Sequence, residues 1–206
     1  GVSASNVTYG GVIIGTFAGG SGGANLVITF DPDATPTAVT ALLKNITYQN
    51  TDTDNPTAGN RTVRFVVTDG DGGTSVNNDA TIVFTAVNDV PVIANLAADS
   101  LAYSEGAGVV VIEQGGNAAV TDVDSANFDT GTLTVSFVSG SDSAEDVLAI
   151  RNEGTGAGQI GVSGSNVTYS NVVIGTFTGG ASGANLVVTF DADATATAVT
   201  ALLKNI

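Results

Sequence analysis

Residues 1–46, GVSASNVTYGGVIIGTFAGGSGGANLVITFDPDATPTAVTALLKNI, return as residues 161–206, GVSGSNVTYSNVVIGTFTGGASGANLVVTFDADATATAVTALLKNI. Aligned without gaps, the two stretches differ at ten of 46 positions, so 36 match, and the period is 160 residues. A solenoid repeat is one supersecondary element of about 20–50 residues. A period of 160 residues is instead the size of a whole domain. The chain therefore reads as globular modules in tandem, one full period followed by the start of another copy.

Inside the quoted stretch, Val, Ile, Thr, Phe and Tyr alternate with small polar residues between Gly-rich breaks such as Gly19–Gly23, which is the pattern of half-buried strands. The alternation predicts strands at 6–9, 12–17, 26–30, 46–49, 62–68 and 81–86. It predicts further strands near 101–103, 109–112, 132–138, 147–150, 166–169, 172–177 and 186–190. One segment has another period: Ala38, Leu42, Leu43 and Ile46 follow helical spacing, with Asp33 or Thr35 as the cap. A short helix is expected at 36–44 and again at 196–204. The fold class is thus all-β: tandem antiparallel β-sandwich modules, cadherin- or immunoglobulin-like, with one short helix per module. The Asn88-Asp89-Val90-Pro91 segment follows what reads as a module's last strand, and Pro91 restricts the backbone there. Residues 1–92 are then the later part of one module and residues 93–206 the earlier part of the next. Both parts are expected to be excerpts of a longer array, the alternative being that halves of neighbouring chains complete each other.

The chain has 20 acidic and 5 basic residues, a net charge of −15. That balance disfavours nucleic acid, whose phosphates need Lys and Arg, and equally an anionic membrane surface. It suits hard cations bound through oxygen. Cys, His, Met and Trp are all absent, which removes disulfides, thiolate chemistry and imidazole-bound zinc, and also the commonest general acid–base side chain. No apolar run approaches the roughly 20 residues of a bilayer span, so direct membrane insertion is not expected. The mean hydropathy of +0.30 argues against disorder.

Asp and Asn gather at the predicted strand ends: Asp31-Pro32-Asp33, Asp52-Thr53-Asp54-Asn55, Asp69-Gly70-Asp71-Gly72, Asn88-Asp89, Asp122-Val123-Asp124 and Asp191-Ala192-Asp193. Asp and Asn are common turn residues, and a single D-x-D says no more than that. Six such groups in so acidic a chain point further. Alternate side chains of a strand share a face, so the carboxylates of a D-x-D can converge, and a bound cation removes their mutual repulsion. Calcium takes 6–8 oxygen ligands and is the cation expected. The sequons at Asn6, Asn45, Asn60 and Asn166 read as strand and turn residues.

Here the motifs resemble a family. Asn88-Asp89-Val90-Pro91-Val92 is similar to the linker between successive cadherin-like repeats, and Tyr103-Ser104-Glu105-Gly106 to the early glutamate that follows it. Val120-Thr121-Asp122-Val123-Asp124-Ser125 resembles their D-x-D segment, and Val67-Thr68-Asp69-Gly70-Asp71-Gly72-Gly73 their late T-D-x-G-G segment. In this order the motifs look like the cadherin-like repeats of large bacterial surface adhesins of the calcium-binding, RTX-adhesin type. The resemblance implies sandwiches joined end to end with calcium at the junctions. Asn88 and Asp89 would be linker ligands. Asp122, Asp124 and Asp69 would lie at the N-terminal pole of their own modules, and Glu105 would face the C-terminal pole. Asp71, with Asp52 and Asp54, completes the metal-ligating candidates.

The expected function is a calcium-stiffened structural repeat of an extracellular bacterial adhesin or filament, on the cell surface or secreted. Its partners would be neighbouring modules and, at a distance, cell-surface or matrix glycans. The alternative is a calcium-dependent glycan-binding module. Paired carboxylates could serve a glycosidase, but such sites add aromatic platforms, and this chain has no Trp and 6% aromatic residues. Its serines have no histidine partner, so catalysis is not expected.

Overall fold

The computed structural model describes residues 1–206 as two compact units, Gly1–Thr51 and Asp52–Ile206. Both are built from antiparallel strands with one short helix each, so the chain is all-β in its architecture. No helix is long and apolar enough to cross a membrane.

The first unit has strands β1 (Val2–Ser3), β2 (Asn6–Tyr9), β3 (Val12–Ala18) and β4 (Val27–Phe30), followed by helix α1 (Pro36–Leu43). The strands lie in sequence order in one sheet, which leaves β4 at an edge. Gly10 and Gly11 both take positive φ in the two-residue turn between β2 and β3, as a tight hairpin with the sheet's own twist requires. A Cβ on Gly15 would meet the carbonyl oxygen of Thr29 at 2.3 Å, so β3 and β4 can approach only with glycine there. Thr35, not Asp33, caps α1: its Oγ1 accepts from the Ala38 N–H at 3.3 Å, and Pro36 opens the helix where no donor is lost. Val7, Ile14 and Ala38 form a small core, with Phe17, Ile28, Ala34 and Leu42 half-buried around it.

The second unit opens with a hairpin of β5 (Arg61–Phe65) and β6 (Asn78–Ile82), in which Arg61 pairs with Ile82 and Phe65 with Asn78. Arg64 and Asp79 face each other across it in an exposed bidentate pair at 2.7 and 2.8 Å. Strands β7 (Val92–Ala94) and β8 (Ala119–Thr121) form a second two-stranded sheet. Then come β9 (Thr132–Val135), β10 (Ile160–Ser163), β11 (Asn166–Tyr169), β12 (Val172–Thr178), β13 (Leu186–Phe190) and helix α2 (Ala196–Leu203). The sheet order is β10-β11-β12-β13-β9, so β9 is added beside β13. Ile160, Val167, Ile174, Leu186, Val188 and Leu202 are the largest fully buried side chains of this unit. Burying each is worth about 1.5–3 kcal/mol.

The repeat is structural as well as sequential. The pairing of β2 with β3 is reproduced by β11 with β12, down to the register shift after Val7 and after Val167. Several expected strands are corrected. Residues 46–49, 101–103, 109–112 and 147–150 form no strand. They carry the alternating pattern, but a strand needs a ladder, and two of these stretches are held at single points: Ile112 N–H donates to the Ile206 carbonyl at 2.7 Å, and Leu148 N–H to that of Gly180 at 2.7 Å. Conversely, β1, β7, β8 and β10 are short or Gly-containing, and only their partners make them strands. The expected junction at 88–92 falls inside the second unit.

Candidate functional site

All nine expected metal-ligating residues lie in the unit Asp52–Ile206, and they separate into local turns and one long-range contact. Asp52 is a turn-former: its Oδ1 accepts from the N–H groups of Asp54 at 3.1 Å and Asn55 at 3.0 Å. Asp54 in turn accepts from the Thr53 hydroxyl at 3.1 Å. Asp69 does the same in the Asp69–Gly73 loop, where Oδ1 accepts from the N–H groups of Asp71 and Gly73, both at 2.9 Å. Those two donors, the Asp71 N–H foremost, hold the Asp69 carboxyl below the ordinary carboxylate range, because they stabilise only its charged form. Asp71 is exposed at the tip of that loop, and Glu105 sits in an exposed turn in which Ala107 N–H donates to the Ser104 carbonyl at 3.0 Å.

The long-range contact joins the expected linker to the D-x-D segment. Asp89 N–H donates to Asp124 Oδ2 at 2.9 Å across 35 residues. Asp124 N–H donates to Asp122 Oδ1 at 3.3 Å, and the Ser125 hydroxyl to Asp124 Oδ1 at 3.5 Å. The Asp89 N–H is the main cause holding the Asp124 carboxyl below the ordinary range, against the opposing effect of partial burial. Asn88 turns its side-chain amide back onto the Asp89 carbonyl. The placement follows from β8, which ends at Thr121 and delivers Asp122 and Asp124 beside the chain that enters β7 at Val92. Asn88, Asp89, Asp122 and Asp124 are therefore neighbours, whereas Asp52, Asp54, Asp69, Asp71 and Glu105 stand elsewhere. The donor set is wholly oxygen and suits a hard cation in kind. No group of three acidic side chains converges as a ready-made cage.

One carboxylate escaped the sequence reading. Glu113 is 5% exposed and accepts three backbone N–H groups, from Gly116 at 2.8 Å, Asn117 at 2.8 Å and Ala118 at 3.1 Å. Burial pushes its carboxyl up, but the three donors together with nearby Lys204 outweigh that and leave it below its usual range. The signal was an acid followed by Gly115-Gly116, a turn whose free N–H groups need an acceptor. Its place is structural: it fixes the loop that leads into β8. With Arg151, Glu153, Lys204 and Asn205 it lines a shallow polar groove of 410 Å³ at the C-terminal end of α2. Asn205, 4% exposed, accepts from Arg151 Nε at 2.8 Å and donates to Glu153 Oε2 at 3.3 Å and to the Ala201 carbonyl at 2.9 Å.

No family model matches this chain, and neither a curated protein nor a solved structure matches it.

Proposed function

We propose that this chain is a calcium-stiffened structural repeat of an extracellular bacterial adhesin or surface filament, with antiparallel sandwich modules meeting near residues 88–92. One observation carries the reading: the backbone of Asp89 is tied directly to the carboxylate of Asp124, beside Asp122. The acidic pair that the resemblance assigns to a module pole thus abuts the segment it assigns to the linker. In such a protein the side chains of Asp89, Asp122 and Asp124, with Asn88, would supply oxygen ligands to calcium. The ion would offset repulsion among three carboxylates and fix the chain direction at Val90-Pro91. Tandem near-identical copies and the surplus of acidic residues support a spacer more than a ligand-binding tip.

The test is calcium titration of the 206-residue chain by calorimetry, beside the Asp124→Asn variant. Extracellular modules bind in the range of about 10⁻⁴–10⁻³ M. Heat of binding in that range, weakened at least tenfold in the variant, is expected. No binding at millimolar calcium, or binding unchanged by Asp124→Asn, overturns the assignment and leaves a passive spacer or a glycan-binding module.

A further inference from the structure

The two copies of the repeated stretch differ in what lies against them. In the second copy, residues 93–160 cover β13 and α2. Strand β9 pairs with β13, setting Val135 opposite Leu186 and Leu133 opposite Val188. Backbone bonds continue this contact around the copy. Phe190 N–H donates to the Gly131 carbonyl at 2.9 Å, Phe128 N–H to that of Ala194 at 2.9 Å, and Arg151 N–H to that of Asn205 at 2.7 Å. Val120 N–H reaches Thr200 Oγ1 at 2.9 Å. Leu186 and Leu203 are 0% and 5% exposed under this cover.

In the first copy the corresponding residues, Leu26 and Leu43, are 41% and 42% exposed, and β4 is a free sheet edge. The positions that receive the cover are nevertheless unchanged: Gly20, Leu26, Phe30, Ala34, Thr40 and Asn45 match Gly180, Leu186, Phe190, Ala194, Thr200 and Asn205. Of the ten differences between the copies, Ile28 for Val188 keeps an apolar residue on the face, and Pro32 for Ala192 keeps the carbonyl to which Asn127 donates at 2.8 Å. One contact is lost outright, because Gly10 replaces the Ser170 hydroxyl that accepts from the Gly158 N–H. An open β edge with an apolar flank and an intact set of backbone partners is a site for strand addition.

We propose that the β4–α1 face of Gly1–Thr51 is the docking surface for a polypeptide segment with the sequence of residues 93–160. The segment adds its counterpart of β9 to β4 and covers Leu26 and Leu43. The chain's own residues 93–160 are engaged by 161–206, so they are not the occupant. This interaction does not rest on calcium, since none of the receiving positions is acidic.

The experiment places a further copy of residues 93–160 ahead of Gly1, so that the new junction reproduces the Ile160–Gly161 peptide. Hydrogen exchange is then followed at the amides of β4 and α1, in chelator, with and without the added segment. The untouched 93–206 region of the same molecule serves as the internal reference. The amides of residues 26–30 and 39–46 are expected to slow by at least a hundredfold, toward the rates at 186–190 and 199–206. Aspartate at the added segment's equivalents of Leu133 and Val135 should return them to the fast rates while the reference is unchanged. Fast exchange in the extended chain overturns the proposal. So does slow exchange that persists with both aspartates, because the protection then does not come from strand addition to β4. A calorimetric failure to bind calcium bears only on the preceding proposal.

Discussion

Residues 1–46 and 161–206 share 36 residues, the same strands, the same register shift and the same capped helix, yet they differ in how much they bury. Val7, Ile14 and Ala38 are as buried as Val167, Ile174 and Ala198. That inner set needs only its own hairpin and helix. Leu26, Leu43 and Asn45 are exposed, while Leu186, Leu203 and Asn205 are closed in. The outer set needs residues 93–160. The same side chain can thus be core or surface according to a segment remote from it in sequence, and its energetic weight changes with it.

The widest separation between the copies is expected at the leucines that open β13 and precede β4. Leu186→Ala should cost about 3–5 kcal/mol, since it removes a fully buried side chain and leaves a cavity, whereas Leu26→Ala should cost under about 1 kcal/mol. Urea unfolding followed through each unit checks this, and equal losses would break the comparison. Next come the asparagines. Asn205→Ala removes three bonds from a buried position, to Arg151, Glu153 and the Ala201 carbonyl, and should cost about 1–3 kcal/mol; Asn45→Ala, where only the Ala41 carbonyl bond at 2.8 Å is lost, should be close to neutral by thermal melting.

The caps should show where the copies do not differ. Thr35→Ala and Thr195→Ala each remove an Oγ1 acceptor 3.3 Å from a helix N–H and should each cost about 1 kcal/mol, read from helix amide exchange. Unequal losses would mean that the Phe128–Ala194 contact beside the second cap changes the cap's own contribution. The smallest effect is a pH dependence confined to the second unit. The folded Glu113 carboxyl lies below its ordinary value of 4.5, so its contribution is complete above that pH and is lost as pH falls through the folded value. Glu113→Gln should flatten acid destabilisation of the second unit and leave the first unit's unchanged, as measured by unfolding at a series of acidic pH values.

Much of this was legible in the chain. Alternating Val12–Phe17 and Leu186–Phe190 became strands because period-2 apolarity suits a sheet with one covered face, and Ala38-x-x-x-Leu42 became a helix flank for the same reason at another period. Asp122 and Asp124 follow the end of β8, and Asp124 accepts from the Asp89 N–H. Other features were illegible because they depend on partners. Residues 109–112 and 147–150 are as apolar as true strands, but they meet the sheet at isolated points. Asp52 and Asp69 carry the same letters as Asp124, yet their oxygens close local turns. Glu113 is illegible because its donors lie three to five residues downstream in a glycine turn, outside any acidic cluster.

By itself the sequence determined the repeat period, the strand-and-helix alternation, the acidity and the exclusion of thiol and imidazole chemistry, since these depend only on the order of residue types. The tertiary structure alone decided which of two near-identical faces is core. Periodicity marks a face as apolar, but burial requires a second surface to displace the water, and for 161–206 that surface is built from residues 93–160.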